Sequence, residues 1–190
     1  MPQHVFASVE EVLHRLADFF VAQASQAVAA RGRFSVALSG GSSPRKLYEL
    51  LASPAYRERV PWAETFFFFG DERNVPPTDA QSNYLMAKTA LLAPLSIADN
   101  HVFAVNTLLP PAEAARAYTQ TIEGFFGAEP AQFDLILLGL GDNSHTASLF
   151  PHTPVLRATT AAAQAVFVSE VDAYRITLTA RQGVPAIVGD

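Results

Sequence analysis

The stretch FSVALSGGSSPRKLYELL, residues 34–51, decides the fold class because it joins a strand to a helix through a glycine-rich loop. Residues 34–38 are a short run of β-forming side chains. The loop 39–43 follows, and Pro44 suits the first turn of a helix whose apolar face comes from later leucines. The order strand, glycine loop, helix is the repeating unit of an α/β domain.

Two further buried runs end in polar loops of the same kind. Residues 66–69 are four consecutive phenylalanines that lead directly into the loop GDER, and residues 133–138 lead into GLGDNSH. Apolar runs without alternation are typical of parallel strands that are covered on both faces. We therefore predict a Rossmann-like, mostly parallel α/β sheet with helices on both faces.

The remaining elements complete one domain over residues 1–190. Ser8 and Glu11 form the capping box Ser-x-x-Glu at the start of a first helix, which Gly32 ends. The pattern also predicts helices at 83–92 and 113–126 and short strands at 102–105, 165–169 and 175–179. No internal repeat or low-complexity linker divides the sequence.

The composition excludes several classes of protein. The chain has 190 residues, 49% of them hydrophobic, with a net charge of -5 and no cysteine. The missing thiols exclude a disulfide scaffold and a cysteine nucleophile, and the five histidines lack metal-ligand spacing, so no metal is expected. An acidic balance with two lysines argues against nucleic-acid binding. Without a targeting segment or membrane-length apolar run, a cytoplasmic protein with no membrane partner is expected.

Three polar clusters follow predicted strands, where open α/β sheets bind their ligands. The glycine loop is suited to an oxyanion, because its backbone can approach closely and a helix N-terminus follows; an ordinary turn is the alternative. Arg73 can grip a phosphate beside Asp71 and Glu72, or the three can form a structural ion-pair cluster. His145 can act as a general base or be a polar surface residue.

Four stretches together resemble the 6-phosphogluconolactonase family: SVALSGGSSPRKLYELL, FFFFGDERNVPPTDAQSNYLM, FDLILLGLGDNSHTASLFPHTP and YRITLT. The resemblance runs to about Thr179. It implies a fold related to the sugar-phosphate isomerases and deaminases, and hydrolysis of 6-phospho-D-glucono-1,5-lactone in the pentose phosphate pathway without a cofactor. Its partner is then a small phosphosugar lactone.

The resemblance also implies roles for individual residues, with His145 activating water and the glycine loop and Arg73 surrounding the phosphate and sugar. The predicted catalytic residues are His145, Asn143 and Asp71. The predicted substrate-binding residues are Ser39, Gly40, Gly41, Ser42, Ser43, Glu72 and Arg73.

Two alternative functions stay open. An amino-sugar-phosphate isomerase or deaminase would use Asp71 to abstract a proton, but its signature resembles HIGFNEP where this chain has HTASLFP from His145. A weakly active phosphosugar-binding or regulatory protein is favoured by Asn143, because Asn143-Ser144 stands where the family has Asp-Gly, and by the C-terminal elements that this sequence does not match. An amide cannot stabilise an imidazolium as a carboxylate does, so reduced or retuned activity is expected.

Residues 180–190 contain Gly183 and Pro185 and do not match the helix, strand and helix with which the family normally continues. We therefore expect the domain to lack those C-terminal elements. Apolar strand faces left uncovered in this way predict low stability or self-association through that side.

Overall fold

The computed structural model describes residues 4–127, 131–158, 160–180 and the backbone of 186–189. Its helices are α1 (Val9–Arg31), α2 (Ser42–Leu51), α3 (Asn83–Ala87) and α4 (Pro111–Phe126). Its strands are β1 (Phe34–Leu38), β2 (Thr65–Phe69), β3 (Asp71–Arg73), β4 (Leu135–Gly139), β5 (Ala163–Val168), β6 (Ala173–Leu178) and β7 (Ala186–Gly189). A π-helical turn, Lys88–Leu92, continues α3, so the predicted helix at 83–92 is present in two parts.

The main sheet is parallel and has the strand order β2-β1-β4-β7. Strand β1 lies between β2 and β4, with Leu38 in register with Phe69. One face packs Val36 and Phe67 against α1 and α2, and the other packs Phe68 against α4. Both faces are thus covered by helices, which explains the unpatterned phenylalanines and confirms the predicted α/β fold.

A second, antiparallel sheet with the order β3-β6-β5 extends the structure, which the prediction of one mostly parallel sheet did not include. Gly70 joins the two sheets: its amide donates to Leu38 O, and its carbonyl accepts from the Leu178 amide, both at 2.8 Å. The strand expected at 102–105 is reduced to a bridge between Val102 and Phe67. The β-propensity of a segment does not show whether its partner strand is parallel or antiparallel. The sequence patterns therefore predict the strands but not how they pair.

The two ends of the described chain test two further expectations. Ser8 Oγ accepts a hydrogen bond from the Glu11 amide, and Gly32 ends α1 in the left-handed conformation at φ 70°, as predicted. Ala186–Gly189 pairs in parallel with β4, so the C-terminal segment adds one strand to the main sheet, and the expectation that the family's helix, strand and helix are missing as a set stays a prediction. No helix in the described ranges is long and apolar enough to cross a membrane.

Candidate active site

The three polar clusters lie side by side because the strands that precede them are neighbours in one parallel sheet. Strand β1 leads into Ser39, β2 into Gly70 and β4 into Leu140, and all three strands point the same way. In open α/β sheets this edge, on either side of the central strand, is where ligands bind. The three polar clusters, which are separate in the sequence, therefore form one surface of the folded protein.

Tyr48 fixes the first cluster at Ser39. The Tyr48 hydroxyl accepts from the Ser39 amide at 2.9 Å and donates to the Ser39 carbonyl at 2.8 Å. Burial raises the pKa of Tyr48 far above its ordinary value, so the phenol stays protonated and keeps donating. The loop is thus held from beneath by a side chain of the helix that follows it.

Gly41 is the N-cap residue directly before α2, and its φ of 108° is one that only glycine adopts without strain. No described side chain caps the start of this helix. The amides of Ser42 and Ser43 lie in its first turn, and Pro44 has none. Uncapped amides at a helix N-terminus, together with the serine hydroxyls, can hold an anion.

Asn83 connects the first cluster to the second. The Gly40 backbone lies so close to Asn83 that a Cβ on Gly40 would overlap its side-chain amide. The Asn83 Nδ2 donates to the Asp71 carbonyl at 2.9 Å and to Asp71 Oδ1 at 3.1 Å. Asn83 therefore holds the glycine loop and β3 at a fixed separation.

Asp71 in turn holds the third cluster. Its Oδ2 accepts from the Ser148 hydroxyl at 2.6 Å, and the Ser148 amide donates to Thr177 Oγ1 at 3.2 Å. Ser148 lies three residues after His145, so these bonds anchor the histidine loop to the antiparallel sheet. The Asp71 carboxylate is buried and accepts hydrogen bonds on both oxygens.

Glu72 is bound to the start of α3. Its carboxylate accepts from the amides of Asn83 and Tyr84, both at 2.8 Å, and from the Ser82 hydroxyl at 3.2 Å. Burial raises the pKa of Glu72, while the amide hydrogen bonds act in the opposite direction. Glu72 fixes α3 against β3, and its predicted contact with a substrate stays a prediction.

Arg73 has an N–H group that makes no hydrogen bond to the described residues. Its Nη1 donates to the Gln81 carbonyl, whereas its buried Nε has no hydrogen-bond partner in the described part of the chain. A buried guanidinium N–H without a partner is costly, because the desolvation of a donor is then uncompensated. An anionic ligand would supply the missing acceptor.

The His145 ring is held on three sides. Its Nδ1 contacts Asn143 Oδ1, its face stacks on Phe150 at a centroid distance of 3.9 Å, and Gly141 leaves room for it where a Cβ would overlap the ring. An amide oxygen only accepts hydrogen bonds, so Nδ1 donates and the Nε2 lone pair is free to accept a proton. This is the tautomer that a general base requires.

Ser144 occupies a conformation suited to glycine, with φ at 64°. We expect Ser144→Gly to raise the free energy of unfolding by about 0.5–1 kcal/mol, measured by urea denaturation, because it removes the left-handed strain. As a control, Ser25→Gly at an exposed position inside α1 should lower it by a similar amount. A loss of stability in Ser144→Gly would contradict this account.

The structure adds Tyr48, Asn83 and Ser148 to the residues predicted from sequence. Their chain positions gave weak signals: Asn83 begins a predicted helix, and Ser148 lies within the HTASLFP stretch. What they share is visible only after folding, because each joins segments that are remote in sequence. No group of three His, Asp or Glu side chains suited to a metal occurs in the described ranges.

Comparisons with known proteins identify the family to which this chain is similar. The profile of the family described as glucosamine-6-phosphate isomerases/6-phosphogluconolactonase matches residues 7–182. A 6-phosphogluconolactonase of Nostoc sp. is 43% identical over 77% of this chain and 61% of its own length, and one of Treponema pallidum is 41% identical over 80% and 62%.

The chain spans about three fifths of the length of these relatives. The 6-phosphogluconolactonase structure from Trypanosoma cruzi superposes with a TM-score of 0.85 at 29% identity, covering 97% of this chain and 78% of that one. The structure from Trypanosoma brucei gives 0.84 at 30%, covering 97% and 80%. The chain belongs to the glucosamine-6-phosphate isomerase/6-phosphogluconolactonase family.

Proposed function

We propose that this protein hydrolyses 6-phospho-D-glucono-1,5-lactone to 6-phosphogluconate. The observation that carries the proposal is the continuous line of contacts from Gly40 through Asn83 and Asp71 to Ser148. This line of contacts joins the glycine loop, residues 39–43, to the segment that bears His145. The family membership and the names of its relatives support the same reaction.

His145 acts as the general base. Asn143 holds the Nδ1 proton, so Nε2 takes a proton from water while the water oxygen forms a bond to C1 of the lactone. The resulting imidazolium then gives its proton to the ring oxygen as the bond between C1 and that oxygen breaks. The products are a hydroxyl group and a carboxylic acid, which ionises in water.

The phosphate directs the lactone to His145 without taking part in the reaction. The amides of Ser42 and Ser43 and the guanidinium of Arg73 bind the phosphate at the far end of the sugar. The binding free energy of this remote group holds C1 of the lactone beside the base in the orientation that the reaction needs.

Hydrolysis fits the carboxylate of Asp71 better than proton abstraction does. In an isomerase or deaminase, Asp71 would have to accept a proton from carbon, yet both of its oxygens accept hydrogen bonds here. These bonds hold the carboxylate against Asn83 and Ser148. A positioning role for Asp71 is consistent with lactone hydrolysis.

The test offers both substrates to the purified chain. We expect hydrolysis of the phosphorylated lactone above its spontaneous rate, followed by acid release, and no ammonia from glucosamine 6-phosphate. Ammonia release would overturn the proposal in favour of a deaminase. Binding of 6-phosphogluconate without hydrolysis would indicate the phosphosugar-binding alternative. The cytoplasmic location and self-association expected from the sequence stay predictions.

A further inference from the structure

Two arginines face each other across the antiparallel sheet at the edge of the proposed site. Arg73 of β3 is in register with Arg175 of β6, and Asp71 with Thr177. The flanking hydrogen bonds run from Asn74 N to Tyr174 O and from Leu178 N to Gly70 O, so the two arginines form a non-hydrogen-bonded pair. In such pairs the Cα atoms are about 4.5 Å apart and both side chains leave the same face.

Neither guanidinium of this pair is neutralised by an ion pair among the described residues. The Nε atoms of Arg73 and Arg175 are both buried without a hydrogen-bond partner in the described ranges. Burial and, to a smaller extent, repulsion from Arg73 lower the pKa of Arg175, while the carboxylates of Asp71 and Glu72 act in the opposite direction. Like charges opposed on adjacent strands destabilise a sheet, so an anion between the two arginines would stabilise this pairing.

The acidic neighbours do not relieve the repulsion by contact. Asp71 accepts from Ser148 and Asn83, and Glu72 alternates to the opposite face of β3, where it caps α3. Arg73, Arg175 and Asp71 therefore project from the same face of the antiparallel sheet. A group with several negatively charged oxygens can satisfy both guanidinium groups at once.

We propose that Arg73 and Arg175 form one binding unit for a phosphate dianion, and that Arg175 selects phosphorylated over unphosphorylated lactones. This inference rests on the proposed function, and it adds Arg175 to the substrate-binding residues. The anchor of the histidine loop at Thr177 lies two residues along β6, about 7 Å away. Because Thr177 accepts a hydrogen bond from Ser148, the pair lies near the segment that carries His145.

The test measures phosphate binding separately from turnover. In the full 190-residue chain, Arg175→Gln is expected to weaken binding of inorganic phosphate about 10- to 100-fold, measured by calorimetry at fixed ionic strength. The KM for the phosphorylated lactone should rise by a similar factor with little change in kcat, because the contact is remote from C1. The kcat/KM for glucono-1,5-lactone should not change. Arg116→Gln, at an exposed position on α4, is the matched charge control.

Two further variants separate binding from folding. Arg175→Lys keeps the charge without the planar fork, and should fold and bind phosphate with intermediate affinity. Arg73→Gln should also weaken phosphate binding, and the loss in the double variant should differ from the sum of the two single losses, because the two neighbouring groups contact one dianion. Unchanged phosphate affinity in Arg73→Gln would contradict a shared ligand.

The outcomes distinguish this inference from the function on which it rests. Lactone hydrolysis with unchanged KM and phosphate affinity in Arg175→Gln overturns the arginine pair and leaves the function standing. Phosphate binding that depends on Arg175, in a chain that hydrolyses no lactone, supports the pair and overturns the function. A wild-type chain that neither hydrolyses the lactone nor binds phosphate overturns both.

Discussion

His145→Gln is expected to lower lactone hydrolysis about 10²- to 10⁴-fold, the range that removal of a general base produces. The glutamine amide is close to the imidazole in length and polarity, but it cannot accept a proton from water at neutral pH. The rate is measured as acid release from 6-phospho-D-glucono-1,5-lactone after subtraction of the spontaneous rate. The KM should change little, because His145 acts on the attacking water and the phosphate is bound elsewhere.

The matched control for this variant is His4→Gln, at an exposed position near the start of the described chain. It should hydrolyse the lactone at the wild-type rate and bind phosphate equally well. Retention of more than about a tenth of the wild-type rate by His145→Gln would remove general-base catalysis by this residue from the mechanism. Equal unfolding midpoints for both variants and wild type would show that the loss is chemical.

Gly40→Ala is the second change with a large expected effect, because the added methyl group would overlap the Asn83 side chain. Asn83 is buried and its Nδ2 is bound to Asp71, so it cannot move aside without breaking hydrogen bonds. We expect the free energy of unfolding to fall by about 1–3 kcal/mol, measured by urea denaturation. Lactone hydrolysis should fall about 100-fold, since a displacement near 1 Å between substrate-positioning groups has that effect.

Gly124→Ala provides the opposite result for the same chemical change. Gly124 lies inside α4, where a Cβ would meet nothing within 4 Å. Replacement by alanine there should stabilise the protein by up to about 1 kcal/mol, because alanine favours the helix. If Gly40→Ala is as stable and active as Gly124→Ala, the close approach between the glycine loop and Asn83 does not organise the site.

Local sequence patterns were sufficient to identify the individual strand-loop-helix units. The glycine loop after 34–38 and the phenylalanines at 66–69 gave two strands of the main sheet close to their observed bounds. The capping box at Ser8 gave the start of α1. These features are local, because a strand covered on both faces and a capped helix each leave a mark within a few consecutive residues.

Strand pairing in the second sheet was not available from the same patterns. The sequence predicts strands close to residues 163–168 and 173–178. Nothing in these segments specifies that they pair with each other in antiparallel fashion, or that the second also pairs with β3. The register that sets Arg175 opposite Arg73 depends on that pairing. A shift by one residue would move Arg175 to the other face of the sheet, so its place in the site is a property of the folded sheet.

The sequence by itself therefore determined the α/β class, the three strand-end clusters and the chemical types of side chain that they carry. Only the tertiary structure decided that Asn83 and Ser148 connect these clusters and that Arg73 has a second arginine beside it. The reason is physical: the Ser148 to Asp71 bond spans 77 residues, and contacts at such separations leave no periodic trace in either segment. Packing of the two sheets around Gly70 brings those residues together.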